Sequence, residues 1–85
     1  MKSIVRIGLA KRVRQLREKH NYTQDKLAEL TGIDYKYVQR IEGKTPPAVR
    51  IDTLVRIADA FGITLSKLLD FDSIQILKNL HRSIR

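Results

Sequence analysis

Apolar residues recur at spacings of three and four along almost the whole chain, and no stretch alternates long enough to form a strand. This period is typical of amphipathic α-helices, because residues three and four apart lie on one face. The sequence therefore predicts an all-α fold. In the first predicted helix, which ends near His20, one apolar stripe is formed by Val5, Leu9, Val13 and Leu16.

Signals that start and stop helices follow closely upon one another after the first helix. Thr23 is a suitable N-cap for a second helix over about residues 24–31, and Gly32 suits the left-handed position that ends it. Asp34 is then the N-cap of a third helix, over about residues 35–42. Two helices joined by so short a turn containing glycine predict a helix-turn-helix.

The second half of the chain predicts three further helices. The buried face of the fourth helix is predicted to hold Ile51, Leu54, Ile57, Ala58 and Phe61, and a short fifth helix follows Thr64. The last segment has an N-cap candidate in Asp72 or Ser73 and apolar residues at helical spacing, which predict a sixth helix. We therefore expect a helix-turn-helix domain over residues 1–71 and a C-terminal helical extension over residues 72–85.

Charge adds a candidate partner to this picture. The chain has a net charge of +8 over 85 residues, and residues 1–50 hold twelve basic and five acidic side chains, against five and four in residues 51–85. Such an uneven distribution favours a polyanion as partner, with an anionic membrane surface as a weaker alternative. The absence of cysteine excludes disulfides and thiolate zinc sites and agrees with a cytoplasmic location.

The outer face of the predicted third helix carries the side chains with the clearest use on DNA. A rotation of 100° per residue places Val38 and Ile41 inside and Lys36, Gln39 and Arg40 outside, with Tyr35 at the edge. Lysine and arginine can donate to guanine, and glutamine can pair with adenine. Tyrosine can touch a thymine methyl group or a phosphate. The alternative, a solvated helix face, is less favoured after a capped helix and a tight turn.

The residues in four stretches resemble a known family: Ile7 to Arg17, Thr23 to Ile33, Tyr37 to Lys44, and Leu54 to Leu69. They are similar to the phage-repressor and Cro type (Xre type) of helix-turn-helix. The resemblance implies a five-helix, lambda-repressor-like domain whose third helix enters the major groove. It also implies a structural ion pair between Arg17 and Glu42. Taken together, the residue pattern and the resemblance give these expected DNA-contacting residues: Gln24, Tyr35, Lys36, Tyr37, Gln39, Arg40 and Lys44.

Two of these residues are expected at the phosphate backbone. Gln24 lies in the first turn of the second helix, where free N–H groups attract an anion, and Lys44 follows the third helix. The chain departs from the family pattern here, since Glu42 is followed directly by Gly43 with no residue between them. The loop that carries Lys44 is therefore expected to differ locally from the family.

The C-terminal extension suggests a contact between two copies of the chain. Similar appended helices in restriction-modification controller proteins form a two-fold interface, and a two-fold dimer places two recognition helices about 34 Å apart, one turn of DNA. We expect a homodimer that reads a palindrome. Its interface candidates, which alternatively pack on their own domain, are Leu68, Phe71, Ile74, Leu77 and Leu80.

Catalytic and ligand-binding patterns are not found in the sequence. His20 and His81 have no metal-ligand spacing, and the four glycines form no phosphate-binding loop. We expect no enzymatic activity, cofactor, metal or small-molecule ligand. Two other functions stay open: an antitoxin that also represses its own operator, and a module that bridges proteins of the transcription machinery.

Overall fold

Residues 3–72 are described by the computed structural model, and they form five α-helices without a strand. The helices are α1 (Ile4–Lys19), α2 (Gln24–Thr31), α3 (Tyr35–Ile41), α4 (Ile51–Ala60) and α5 (Leu65–Leu68). The all-α prediction is thus confirmed for this range. The predicted sixth helix lies, except for its first candidate cap Asp72, outside the described residues.

Side-chain caps begin α2 and α3 where the sequence predicts them. The hydroxyl of Thr23 accepts a hydrogen bond from the Lys26 backbone N–H at 3.0 Å. The Asp34 carboxylate accepts one from the Lys36 backbone N–H at 2.9 Å. Gly32 adopts the left-handed conformation, with φ of 71°, and ends α2. The α2–α3 turn is therefore fixed at both ends by local hydrogen bonding.

The α2–α3 turn is also held from inside by Thr31. Its buried hydroxyl donates to the Leu27 carbonyl at 2.7 Å and accepts from the Ile33 N–H at 3.3 Å. One hydroxyl thus joins a carbonyl of α2 to the half-buried amide of the turn, and a hydrogen bond of this kind contributes about 0.5–1.5 kcal/mol. The turn places α2 and α3 in direct contact.

A single core joins all five helices. Its most deeply buried side chains, one from each helix, are Val13, Leu27, Ile41, Ile57 and Leu68. Because α2 packs on α3 and α4, and α5 packs on α4 and α1, the core holds α3 from one side only. The opposite side of α3 is left for solvent or a partner.

Three of the sequence-based burial expectations need correction. Val5 is 58% exposed and Ile51 is 68% exposed, because each lies in the first turn of its helix, beyond the edge of the core. Leu68, expected at a dimer interface, has no exposed surface, because it fills the space between α5 and the rest of the core. It has no surface left to offer a second chain.

Candidate nucleic-acid interface

The outer face of α3 is polar and exposed, as the helical rotation predicts. Lys36, Gln39 and Arg40 are all exposed, whereas Val38 and Ile41 on the opposite face are 2% and 1% exposed. The two buried side chains fix the rotation of the helix about its axis. The three polar side chains therefore point away from the core as a set.

Tyr35 and Gln39 are joined on this face. The Gln39 side-chain amide donates to the Tyr35 hydroxyl at 3.0 Å, across one turn of α3. An amide nitrogen carries two hydrogens, so Gln39 keeps one donor and its carbonyl acceptor for a second partner. Donor and acceptor together are the pair that an adenine edge requires.

Tyr37 lies at the side of α3 rather than on its exposed face. Its ring is half-buried against the core, and its hydroxyl donates to the Ala48 carbonyl at 3.3 Å. The Arg40 guanidinium carbon lies 5.9 Å from the centre of this ring, within the range of a cation–π contact. Tyr37 therefore ties the α3–α4 loop to α3 and supports Arg40.

Glu42, the C-cap of α3, is held by Arg17 of α1. Arg17 donates through Nε and Nη2 to the two carboxylate oxygens, at 2.8 and 3.0 Å, and through Nη1 to the Tyr22 carbonyl at 2.9 Å. The Glu42 side chain is 1% exposed and that of Arg17 is 16% exposed. The hydrogen bond to Glu42 raises the pKa of Arg17, because it favours the charged guanidinium. The ion pair that the resemblance implies is present.

Gln24 contacts the same carboxylate from α2. Its side-chain amide donates to Glu42 Oε1 at 3.3 Å, and its side chain is half-buried. The second amide hydrogen and the amide oxygen have no partner among residues 3–72. Glu42 thus orients Gln24 beside the end of α3 and leaves it one donor for a phosphate oxygen.

Lys44 is exposed and follows Gly43 directly. A Cβ atom on Gly43 would lie 3.3 Å from the carbonyl oxygens of both Gln39 and Arg40, so the backbone turns tightly against the end of α3. This tight turn comes directly after Glu42, where the sequence has no residue between Glu42 and Gly43. It leaves Lys44 beside α1, where Ile7, Lys11 and Arg14 face it across a groove.

The expected dimer contacts fall into two groups. Phe71 is half-buried and packs against the core of its own domain, as Leu68 does. Ile74, Leu77 and Leu80 lie outside the described residues. Within residues 3–72 no helix is long and apolar enough to cross a membrane, and no cluster of three or more metal-ligating side chains is found.

Comparisons with known proteins identify a family and several proteins that this chain resembles. The model of the helix-turn-helix family matches residues 13–68. A Pyrococcus furiosus protein that carries the name of an HTH-type transcriptional regulatory protein is 40% identical over 67 residues, which cover 79% of this chain and 21% of that protein. The chain thus spans about a fifth of the length of that relative.

Two solved structures are similar over most of their length. The restriction-modification controller protein C.AhdI from Aeromonas hydrophila has a TM-score of 0.70 and 28% identity, over 74% of this chain and 94% of its own. The hypothetical transcription factor NHTF from Neisseria has a TM-score of 0.75 and 26% identity, over 91% and 84%. Because the family model matches well over half of the residues, the chain belongs to the Xre-type helix-turn-helix family.

Proposed function

We propose that this protein is a transcription regulator that binds specific DNA sequences by placing α3 in the major groove. The observation that carries the proposal is the exposed set of Lys36, Gln39 and Arg40, opposite the buried Val38 and Ile41. A major groove about 12 Å wide admits an α-helix, and these three residue types match the donors and acceptors on base edges. Arg40 and Lys36 would donate to guanine, and Gln39 would pair with adenine.

The support of α3 agrees with this role. Asp34 caps its first turn, and Glu42 at its end is bonded to Arg17 of α1 and Gln24 of α2. A helix fixed at both ends loses little conformational freedom on binding, so more of the interaction energy appears as affinity. Gln24 and Lys44 would contact the phosphates that set its register on the duplex.

The names of the relatives support regulation as the outcome of binding. One is named as a transcriptional regulatory protein, one as a transcription factor and one as a restriction-modification controller. We propose that this protein acts in the cytoplasm as a homodimer on a palindromic operator. The two-fold axis of such a dimer places two copies of α3 in successive major grooves, about 34 Å apart.

Selection of bound duplexes from a random pool tests the proposal. We expect enrichment of a palindrome, with two chains per duplex by sedimentation and with log K falling against log salt by about 0.9 for each phosphate neutralised. A pool that shows no enrichment, together with binding independent of salt, would contradict DNA reading. That outcome would favour a role in bridging proteins, with Lys36 and Arg40 on a protein partner.

A further inference from the structure

A groove of about 270 Å³ separates α1 from the segment that follows α3, away from the exposed face of α3 itself. On the α1 side it is lined by two apolar residues, Ile7 and the buried Ala10. Its exposed lining residues, Lys11, Arg14 and Lys44, are all basic. The groove therefore combines an apolar wall with three cations.

The positive charge of this groove is not matched by its one acid. Glu42 also lines the groove, but its carboxylate is buried and bonded to Arg17 through both oxygens. Arg14 is tied to the same residue: its Nη2 donates to the Glu42 main-chain carbonyl at 3.0 Å, and its side chain stays 54% exposed. Neither Lys11 nor Lys44 takes part in an ion pair within residues 3–72.

The groove and the proposed phosphate contact on α2 share one residue, Glu42. Glu42 Oε1 accepts a hydrogen bond from Gln24 at 3.3 Å and lies 3.7 Å from Nε of Arg14. One oxygen thus connects the proposed phosphate contact on α2 to the basic wall of α1. Gln24 and the basic wall of α1 therefore lie close together, on two sides of Glu42.

We propose that the groove binds one sugar-phosphate unit of the operator strand, beyond the contacts of α3, and that Lys11 of α1 contacts its phosphate. Lys11 and Lys44, which have no ion pair within residues 3–72, attract the phosphate, and Ile7 and Ala10 suit the apolar face of a deoxyribose. This inference rests on the proposed function and extends it to α1. It assigns no base preference to the groove, because phosphates carry no sequence information.

The variant Lys11→Gln tests the contact. Its affinity for the selected operator is measured by fluorescence anisotropy between 50 and 200 mM salt. We expect the slope of log K against log salt to become shallower by about 0.9, which is about a threefold smaller loss of affinity over that range. Sequence preference stays unchanged. Lys11 is exposed and outside the core, so the fold is retained.

The matched control is Lys67→Gln, which removes the same charge from α5, an element that does not line the groove. We expect its salt slope to equal that of the wild type. Equal slopes for Lys11→Gln and the control, with normal operator binding by both, would overturn the groove inference and leave the proposed function standing. Failure of the wild type to bind any duplex would overturn both.

A free phosphate could supply the same chemistry as the DNA strand. Backbone amide signals of Lys11, Gly43 and Lys44 are therefore followed by NMR during titration with the operator and, separately, with sodium phosphate against sodium chloride of equal ionic strength. We expect these signals to shift with the operator and to respond equally to the two salts. If the signals shifted with sodium phosphate and did not shift with the operator, the assignment of the groove to DNA would be overturned.

Discussion

Gln39 and Tyr35 form a hydrogen-bonded pair on the exposed face of α3, with the amide nitrogen 3.0 Å from the phenol oxygen. The bond fixes the orientation of the Gln39 amide before any partner is present. It also leaves the Tyr35 hydroxyl hydrogen available to a phosphate or a base. Recognition of adenine by Gln39 should therefore depend on Tyr35, although Tyr35 itself does not contact the adenine.

Replacement Tyr35→Phe tests this dependence, since it removes the hydroxyl and keeps the ring. We expect selectivity at the base pair read by Gln39 to fall, by less than the roughly 1–3 kcal/mol that a full bidentate contact contributes. Operator variants at that position are compared for the wild type, Tyr35→Phe, Gln39→Ala and the double variant. Strictly additive effects in this cycle would show that the hydrogen bond plays no part in reading.

The ion pair between Arg17 and Glu42 sets the position of the end of α3, and Glu42→Gln should break it. A neutral amide leaves the largely buried Arg17 guanidinium without its counter-charge, a change that costs about 3–5 kcal/mol in buried pairs. We expect a loss of that order in the free energy of unfolding, measured by urea denaturation with circular dichroism at 222 nm.

An exposed pair supplies the control for this measurement. Lys26 and Glu29 lie 3.7 Å apart on α2, with side chains 48% and 72% exposed. Exposed pairs of this kind contribute about 0.2–1 kcal/mol, so Glu29→Gln should change stability by no more than that. If Glu42→Gln lowered the free energy of unfolding by no more than Glu29→Gln does, the pair between Arg17 and Glu42 would have no structural role.

The sequence predicted the helices and most of their faces because caps, glycines and helical periodicity act locally. Thr23, Gly32 and Asp34 occupy the positions expected of them. Val5 and Ile51 have helical spacing but lie in first turns, and periodicity does not reveal where a helix extends past its core.

Contacts between residues far apart in sequence could not be predicted from pattern at all. Arg12 Nη2 donates to the Lys67 carbonyl at 2.8 Å, and Arg14 Nη2 donates to the Glu42 carbonyl at 3.0 Å. These bonds join positions 55 and 28 residues apart, whose meeting depends on how the helices pack. The contact between Arg17 and Glu42 was expected only through family resemblance.

Gly32 allows the left-handed backbone that ends α2, and Gly32→Ala should strain it. Beyond the adjacent residues of the chain, no atom lies within 4 Å of the added Cβ, so the cost comes from φ of +71°. We expect about 1–2 kcal/mol of destabilisation in urea denaturation. Gly62, with φ of +68° and the same open space, should show an equal loss. Gly32→Asn should lose less, since asparagine adopts this conformation more readily. A stability loss for Gly32→Asn as large as that for alanine would contradict the explanation.

Arg40 is the arginine of α3 that we propose reads guanine, and Arg40→Ala should relax selectivity at one base pair of each half-site. Loss of a bidentate contact predicts weaker binding of the selected operator by about 1–3 kcal/mol, and less discrimination at that position only. The affinity of the variant for non-specific DNA should fall much less, because Arg40 would contact a base rather than a phosphate.

The matched control is Arg56→Ala, which removes an exposed arginine from α4 and should leave the preferred sequence unchanged. Repeating the selection from the random pool with both variants measures the effect. If Arg40→Ala left the preferred operator sequence unchanged, Arg40 would not read a base, and a protein partner for the exposed face of α3 would be favoured.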